Sequence, residues 1–233
     1  MVSNIKYALF DFDGTLAMNC THVSNCYIYC QKYFNLRIPS HQELMDLQGL
    51  SFEETRERLG CPEEFHEKYT EIFWIEMADF EKEGYQAFLL PFVVETLKML
   101  KAKNIPIGIV TANHAKIVEK CAKALGISQF IDFYVGSENC EEVKPSPKPL
   151  LFCLEKLGGD ITDLSNVIYV GDSKTDLKAG INTNVAKTFI VVSQDHFERR
   201  FLDDIQTGKL PELGDSWTHF ESMENLLELV AQL

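Results

Sequence analysis

An apolar run, Tyr7-Ala8-Leu9-Phe10, leads straight into Asp11-Phe12-Asp13-Gly14-Thr15-Leu16. The run predicts a strand over residues 5–11. On a strand, acids at i and i+2 put both carboxylates on one side. Gly14 lets the chain turn away, and the Thr15 hydroxyl can tie the turn. Two acids crowded at a strand end repel each other unless a cation or a proton compensates. A divalent metal is the natural solution, and hard oxygen ligands suit Mg²⁺. Taken alone, the plainer reading is a strand that ends in an Asp-Gly turn. Three later stretches argue against it.

Residues 17–88 change character. Val23, Tyr27, Cys30 and Phe34 recur at helical spacing. Ser40-His41-Gln42-Glu43 and Ser51-Phe52-Glu53-Glu54 both fit the capping box, in which hydroxyl and carboxylate each satisfy a free backbone N–H. Pro62 suits a first helical position, and Phe65, Tyr69, Ile72, Phe73 and Phe80 mark a long helix ending near Gly84. This predicts a small helical subdomain over 17–88, inserted into a core made of residues 1–16 and 89–233.

After Pro91 the pattern alternates. Helices are expected over 93–103, 114–125, 148–157 and 175–182. Buried strands are expected over 105–110, 130–135, 166–170 and 188–192, with a closing helix over 222–230. Strands alternating with helices imply right-handed crossovers and a parallel sheet. Ligands bind beyond the carboxyl ends of such strands. Asp11, Asp13, Thr111 and Asp172 each sit where a strand ends, so one crevice can hold them all. Lys144 can reach it from a loop.

Charge narrows the function. A formal net charge of -13 argues against non-specific nucleic-acid binding and against docking on an anionic membrane. It leaves room for an anionic small substrate held by local cations. Seven cysteines at 20, 26, 30, 61, 121, 140 and 153 show no paired spacing, and the first residues carry no signal-peptide pattern. Both points lead to the expectation of reduced thiols and a cytoplasmic location. The group Cys20, His22, Cys26 and Cys30 invites a zinc reading, but no second ligand pair follows, so small buried side chains are the expectation. No apolar run approaches the length of a membrane span.

A carboxylate pair, a third carboxylate, a hydroxyl and a lysine suit phosphoryl transfer, which needs positioning and charge neutralisation above all. One leading aspartate can attack phosphorus, and the other can protonate the leaving oxygen. At this point four motifs resemble those of the haloacid dehalogenase superfamily, in order: Asp11-Phe12-Asp13-Gly14-Thr15-Leu16, Thr111 at a strand end, Lys144-Pro145-Ser146-Pro147, and Gly171-Asp172-Ser173-Lys174-Thr175-Asp176. The match spans almost the whole chain and is nearest the phosphoglycolate-phosphatase-like subfamily. The resemblance implies an α/β fold, a Rossmann-like parallel sheet core with an inserted α-helical cap that would close over the substrate.

The resemblance also assigns roles. Asp11 would be nucleophile and metal ligand. Asp13 would be the general acid/base, with its backbone carbonyl on Mg²⁺. Thr111, Asn113 and Lys144 would bind the phosphoryl group, Asp172 would complete the metal site, and Asp176 would orient Lys144 or a metal-bound water. The implied cofactor is Mg²⁺, and the implied partner is a small phosphorylated metabolite, phosphoglycolate first, with oligomeric state left open. Lys148 is the reserve candidate for Lys144. Arg56, Arg58 and His66 are expected as solvated helix residues.

An acid at position 13 favours phosphate esters over dehalogenation. A phosphomutase of the β-phosphoglucomutase type and a regulatory module without turnover are the rival readings. Two departures from the family pattern are visible: Phe92 and Asn184 stand where relatives usually carry glycine.

Overall fold

A computed structural model describes residues 4–18, 20–47, 50, 52–77, 87–191 and 216–232. The chain divides into two compact units, Met1–Met18 with Phe88–Leu233, and Asn19–Ala87. Residues 17–18 and 88 thus belong with the first unit. There the two short strands β2 (Ala17–Met18) and β3 (Phe88–Leu89) pair antiparallel where the chain leaves and re-enters that unit.

In the first unit, six strands among the described residues form one parallel sheet. Its centre is β1 (Tyr7–Phe10), flanked by β4 (Ile107–Val110) and β6 (Val167–Gly171). Outside β4 lies β5 (Phe133–Val135). Outside β6 lie β7 (Lys187–Val191) and then β8 (Trp217–Phe220). Every residue of β4 and β6 is buried, as continuous apolar strands covered on both faces require. Among the described residues, the α-helices of this unit are α5 (Val93–Ala102), α6 (Ala115–Ala124), α7 (Lys148–Lys156), α8 (Lys174–Thr183) and α9 (Met223–Ala231). Leu150, Cys153 and Leu154 of α7 share a core with Leu9, Val110, Val167 and Tyr169. Gly108 lies so close to the Cys153 sulfur that any side chain there would collide with it.

Phe10 is in register with Ile109 on one side and Val170 on the other. The residues that follow each partner therefore emerge side by side at one edge. β8 was not expected. It is an edge strand of mixed polarity, Trp-Thr-His-Phe, held by Phe220 stacking on Phe189 with ring centroids 4.7 Å apart. Asn184 closes α8 in the left-handed conformation at φ 61°, and Phe92 precedes α5 at φ 64°.

The second unit is helical: α1 (Cys20–Tyr33), α2 (His41–Asp46), α3 (Phe52–Arg58) and α4 (His66–Met77). The Ser40–Glu43 capping box forms, with Ser40 N–H donating to Glu43 Oε2 at 2.9 Å and Glu43 N–H to Ser40 Oγ at 3.2 Å. Ser51, Phe80 and Gly84 lie outside the described residues. Pro62 starts a short 3-10 turn, Glu63–Phe65, ahead of α4 rather than the α-helix itself. The aromatic stripe is a core: Phe73 sits 4.6 Å from both Tyr27 and Phe52 by ring centroids.

Arg56 departs from expectation. It lies on the buried face of α3 at 8% exposure and donates to His66 O at 3.2 Å and Thr70 Oγ1 at 2.9 Å, with its guanidinium 5.5 Å from the Phe52 ring. Arg58 is exposed and His66 half-buried. His22, Cys26 and Cys30 are buried, His22 Nε2 lying 3.3 Å from Met77 O.

Candidate active site

β1 delivers Asp11 to the edge of the sheet. Its N–H still donates to Val170 O at 2.8 Å, so the ladder to β6 continues one residue past the strand. Phe12 is fully buried, which sends Asp11 and Asp13 to the opposite side. The chain then winds tightly: the N–H groups of Leu16 and Ala17 both donate to Phe12 O, at 2.9 and 3.0 Å. Gly14 sits at φ 88°, and a Cβ there would run into the Asp172 carboxylate. Only glycine fits both demands. The Thr15 hydroxyl does not tie its own turn; it donates to Asp172 Oδ1 at 3.2 Å.

β6 delivers Asp172, and α8 delivers Asp176 one turn later. Ser173 caps α8: its Oγ accepts from Asp176 N–H at 3.1 Å, while Asp176 Oδ2 accepts from Ser173 N–H at 3.1 Å and from Ser173 Oγ–H at 2.6 Å. Asp176 is therefore both a helix cap and a site residue. Its Oδ1 accepts from Tyr169 O–H at 2.6 Å and from Lys144 Nζ at 2.7 Å.

Lys144 is the centre of the arrangement. Its buried ammonium reaches Asp11 Oδ1 at 2.6 Å, Asp176 Oδ1 at 2.7 Å, Val110 O at 3.0 Å and Tyr169 Oη at 3.1 Å. Four oxygens surround three N–H protons, so at most three of these contacts are hydrogen bonds at any moment. Among the described residues, none hydrogen-bonds Asp11 Oδ2. Lys148 is elsewhere, paired with Glu142 at 2.6 Å on the surface.

Thr111 follows β4, buried, with its N–H on Val135 O at 2.9 Å. Its Oγ1 accepts from Asn113 N–H at 3.0 Å, and Asn113 Nδ2 donates to Asp13 Oδ2 at 2.6 Å. Tyr169 was not singled out from sequence. Tyr169 hid inside the apolar run of β6, and its one signal was a hydroxyl that has to find a partner once buried.

The electrostatics follow from three carboxylates, Asp11 and Asp176 buried and Asp172 half-buried, facing one ammonium. Burial pushes Asp11 up to about 7, against the opposing pull of Lys144. Burial, with Asp176 and Asp11 nearby, raises Asp172 well above the usual carboxylate range. Burial also works to raise Asp176, but Lys144, Ser173 and Tyr169 together hold it below its ordinary value. Lys144 is raised, because Asp11 and Asp176 outweigh the burial that would lower it.

Carboxylate oxygens of Asp11, Asp172 and Asp176 lie within 4.8 Å of one another. This all-oxygen, electron-rich set fits a hard divalent cation. The oxygens of Asp176 are already engaged by Lys144, Tyr169 and Ser173, which leaves Asp11 and Asp172 as the better ligands. The Asp13 carboxylate is outside this cluster.

Comparison with known proteins agrees with the architecture. The chain is 35% identical over 92 residues to the phosphoglycolate phosphatase of Escherichia coli K12, a stretch covering 40% of this chain and 35% of that protein. It is 33% identical over 194 residues to the protein of Clostridium perfringens named "Putative pyrophosphatase PpaX", covering 79% of this chain and 82% of that one. A haloacid dehalogenase-like family hydrolase from Streptococcus pneumoniae shares the fold, with TM-score 0.74 at 20% identity, covering 97% of this chain and 98% of its own. The family model described as haloacid dehalogenase-like hydrolase matches residues 8–191, and the chain belongs to that family.

Proposed function

We propose that this protein is a Mg²⁺-dependent phosphatase acting on a small phosphorylated metabolite. One observation carries the reading: a buried ammonium, Lys144, is bonded to Oδ1 of Asp11 while Oδ2 keeps no bond from the described residues. That leaves one carboxylate oxygen for attack on phosphorus, beside a fixed positive charge that can receive the phosphoryl oxygens.

In the proposed reaction Asp11 Oδ2 bonds to phosphorus and the phosphorus–oxygen bond to the leaving group breaks. Asp13 gives its proton to the departing oxygen, then takes one from the water that cleaves the aspartyl-phosphate and releases inorganic phosphate. Thr111 and Lys144 hold the phosphoryl group. Asp11 and Asp172, with the Asp13 carbonyl, would hold Mg²⁺, which supplies charge neutralisation to the phosphoryl oxygens. Asp176 positions Lys144. By the same resemblance, the helical unit is proposed as the cap domain.

For the substrate, the relatives' names support phosphoglycolate first and pyrophosphate second. Phosphate release from a panel holding both, along with sugar phosphates, measured with Mg²⁺ and with chelator, tests the reading. Selective release that stops with chelator, and stops again in Asp11→Asn, is the expected result. Undiminished turnover by Asp11→Asn overturns the nucleophile assignment. Isomerisation of a sugar phosphate without release overturns the phosphatase.

A further inference from the structure

The Asn113 side chain is committed to Asp13, and family resemblance does not supply that role. Its amide nitrogen lies 2.6 Å from Asp13 Oδ2, across 100 residues of sequence. A carboxylate has only acceptors to offer, so the NH₂ end of the amide must face it. The rest of Asn113 is pinned. Its own N–H donates to Thr111 Oγ1 at 3.0 Å, and its carbonyl accepts from Ser137 N–H at 3.0 Å. The next turn is pinned as well, because the Glu138 carboxylate accepts from Ala115 N–H at 3.0 Å, at the start of α6. The donor therefore sits on a fixed backbone, and its target sits on the tight turn around Gly14.

We infer that Asn113 is a positioning residue for Asp13: it fixes the plane of that carboxyl and keeps Oδ2 as an acceptor, so the transferable proton rides on Oδ1. The hydrogen bond survives both states of Asp13, because the carbonyl oxygen of a carboxylic acid accepts as a carboxylate oxygen does. Asn113 thereby acts on the leaving group through Asp13, while Thr111 and Lys144 serve the phosphoryl group. This rests on the phosphatase reading above.

The test uses two esters. An alkyl phosphate needs a proton on its leaving oxygen; p-nitrophenyl phosphate does not. Asn113→Ala removes the donor, and Asn113→Asp keeps size and shape while setting a carboxylate oxygen against Asp13. Melting temperatures check that each variant is folded, and Asn113→Asp carries the test if Asn113→Ala does not fold.

The expected result is a kcat about 10–100-fold lower on the alkyl ester, in line with the cost of misplacing a catalytic group, and a change of less than about threefold on p-nitrophenyl phosphate. KM and inhibition by inorganic phosphate should hold, and Asp13→Asn should show the same dependence on the ester. An equal loss on both esters with weaker phosphate inhibition would place Asn113 on the phosphoryl group and overturn the inference. So would unchanged kinetics in both variants. A wild-type protein that turns over neither ester overturns the phosphatase reading itself, and the inference with it.

Discussion

Tyr169 shows how a single hydroxyl can matter in a site made of charges. Its ring fills the β6 core, while its O–H donates to Asp176 and its oxygen accepts from Lys144. Tyr169→Phe keeps the ring and removes both bonds. Losing buried hydrogen bonds to charged partners is expected to cost about 1–3 kcal/mol, read as a lower urea midpoint. kcat should fall as well, because Lys144 loses one of the atoms that aim it. An unchanged midpoint and kcat would show that the ammonium needs only its carboxylates. The acids at 11 and 13 were legible in the sequence because strand periodicity and the Asp-Gly turn fix where they point. Tyr169 was not, because an aromatic in a buried strand satisfies the packing pattern whatever its oxygen does.

At the scale of elements, Phe92 is out of place. It stands before α5 at φ 64°, a conformation that costs an L-residue with a side chain roughly 1–2 kcal/mol. The ring is 38% exposed, so packing returns only part of that. Glycine relieves the strain but adds freedom to the unfolded chain, worth about 0.5–1 kcal/mol. With the partly buried ring's contacts also lost, Phe92→Gly should leave stability within about 1 kcal/mol of the wild type, seen as a nearly unchanged denaturant midpoint. A lower midpoint would mean that the ring's contacts outweigh the strain. Element boundaries were readable where a cap was chemically explicit, as at Ser40 with Glu43. They were unreadable at β8, where an edge strand needs neither alternation nor a continuous apolar run. Arg56 was misjudged for a related reason: a guanidinium whose one terminal nitrogen reaches a carbonyl and a hydroxyl, and whose face lies over an aromatic ring, is buried without an acid.

For the whole molecule, three carboxylates face one ammonium in the first unit, a surplus of negative charge that a proton or a cation offsets. Ligands that bind only the folded state stabilise it, by about 2.7 kcal/mol at a hundred times Kd. Mg²⁺ added to the chelated protein should raise its melting temperature, and Asp172→Asn should shrink that rise. Equal shifts in both proteins would place the ion elsewhere. The alternating pattern announced a parallel sheet, and strand ends announced one edge for the site. The order β5-β4-β1-β6-β7-β8 was beyond the sequence, because adjacency depends on which faces pack and not on any one strand's composition. That order is what sets Thr111, Asp11 and Asp172 on neighbouring strands.

One nitrogen atom, Nζ of Lys144, joins the end of β1, the last carbonyl of β4, the middle of β6 and the first turn of α8. Energies around such a junction cannot be divided among the residues that meet there. Removing any one partner loosens the same ammonium, so the losses overlap and single substitutions overstate their separate shares. The four segments behave as one thermodynamic object although they come from distant parts of the chain. Anyone transplanting this chemistry onto another parallel sheet would have to carry the whole junction across in a single step.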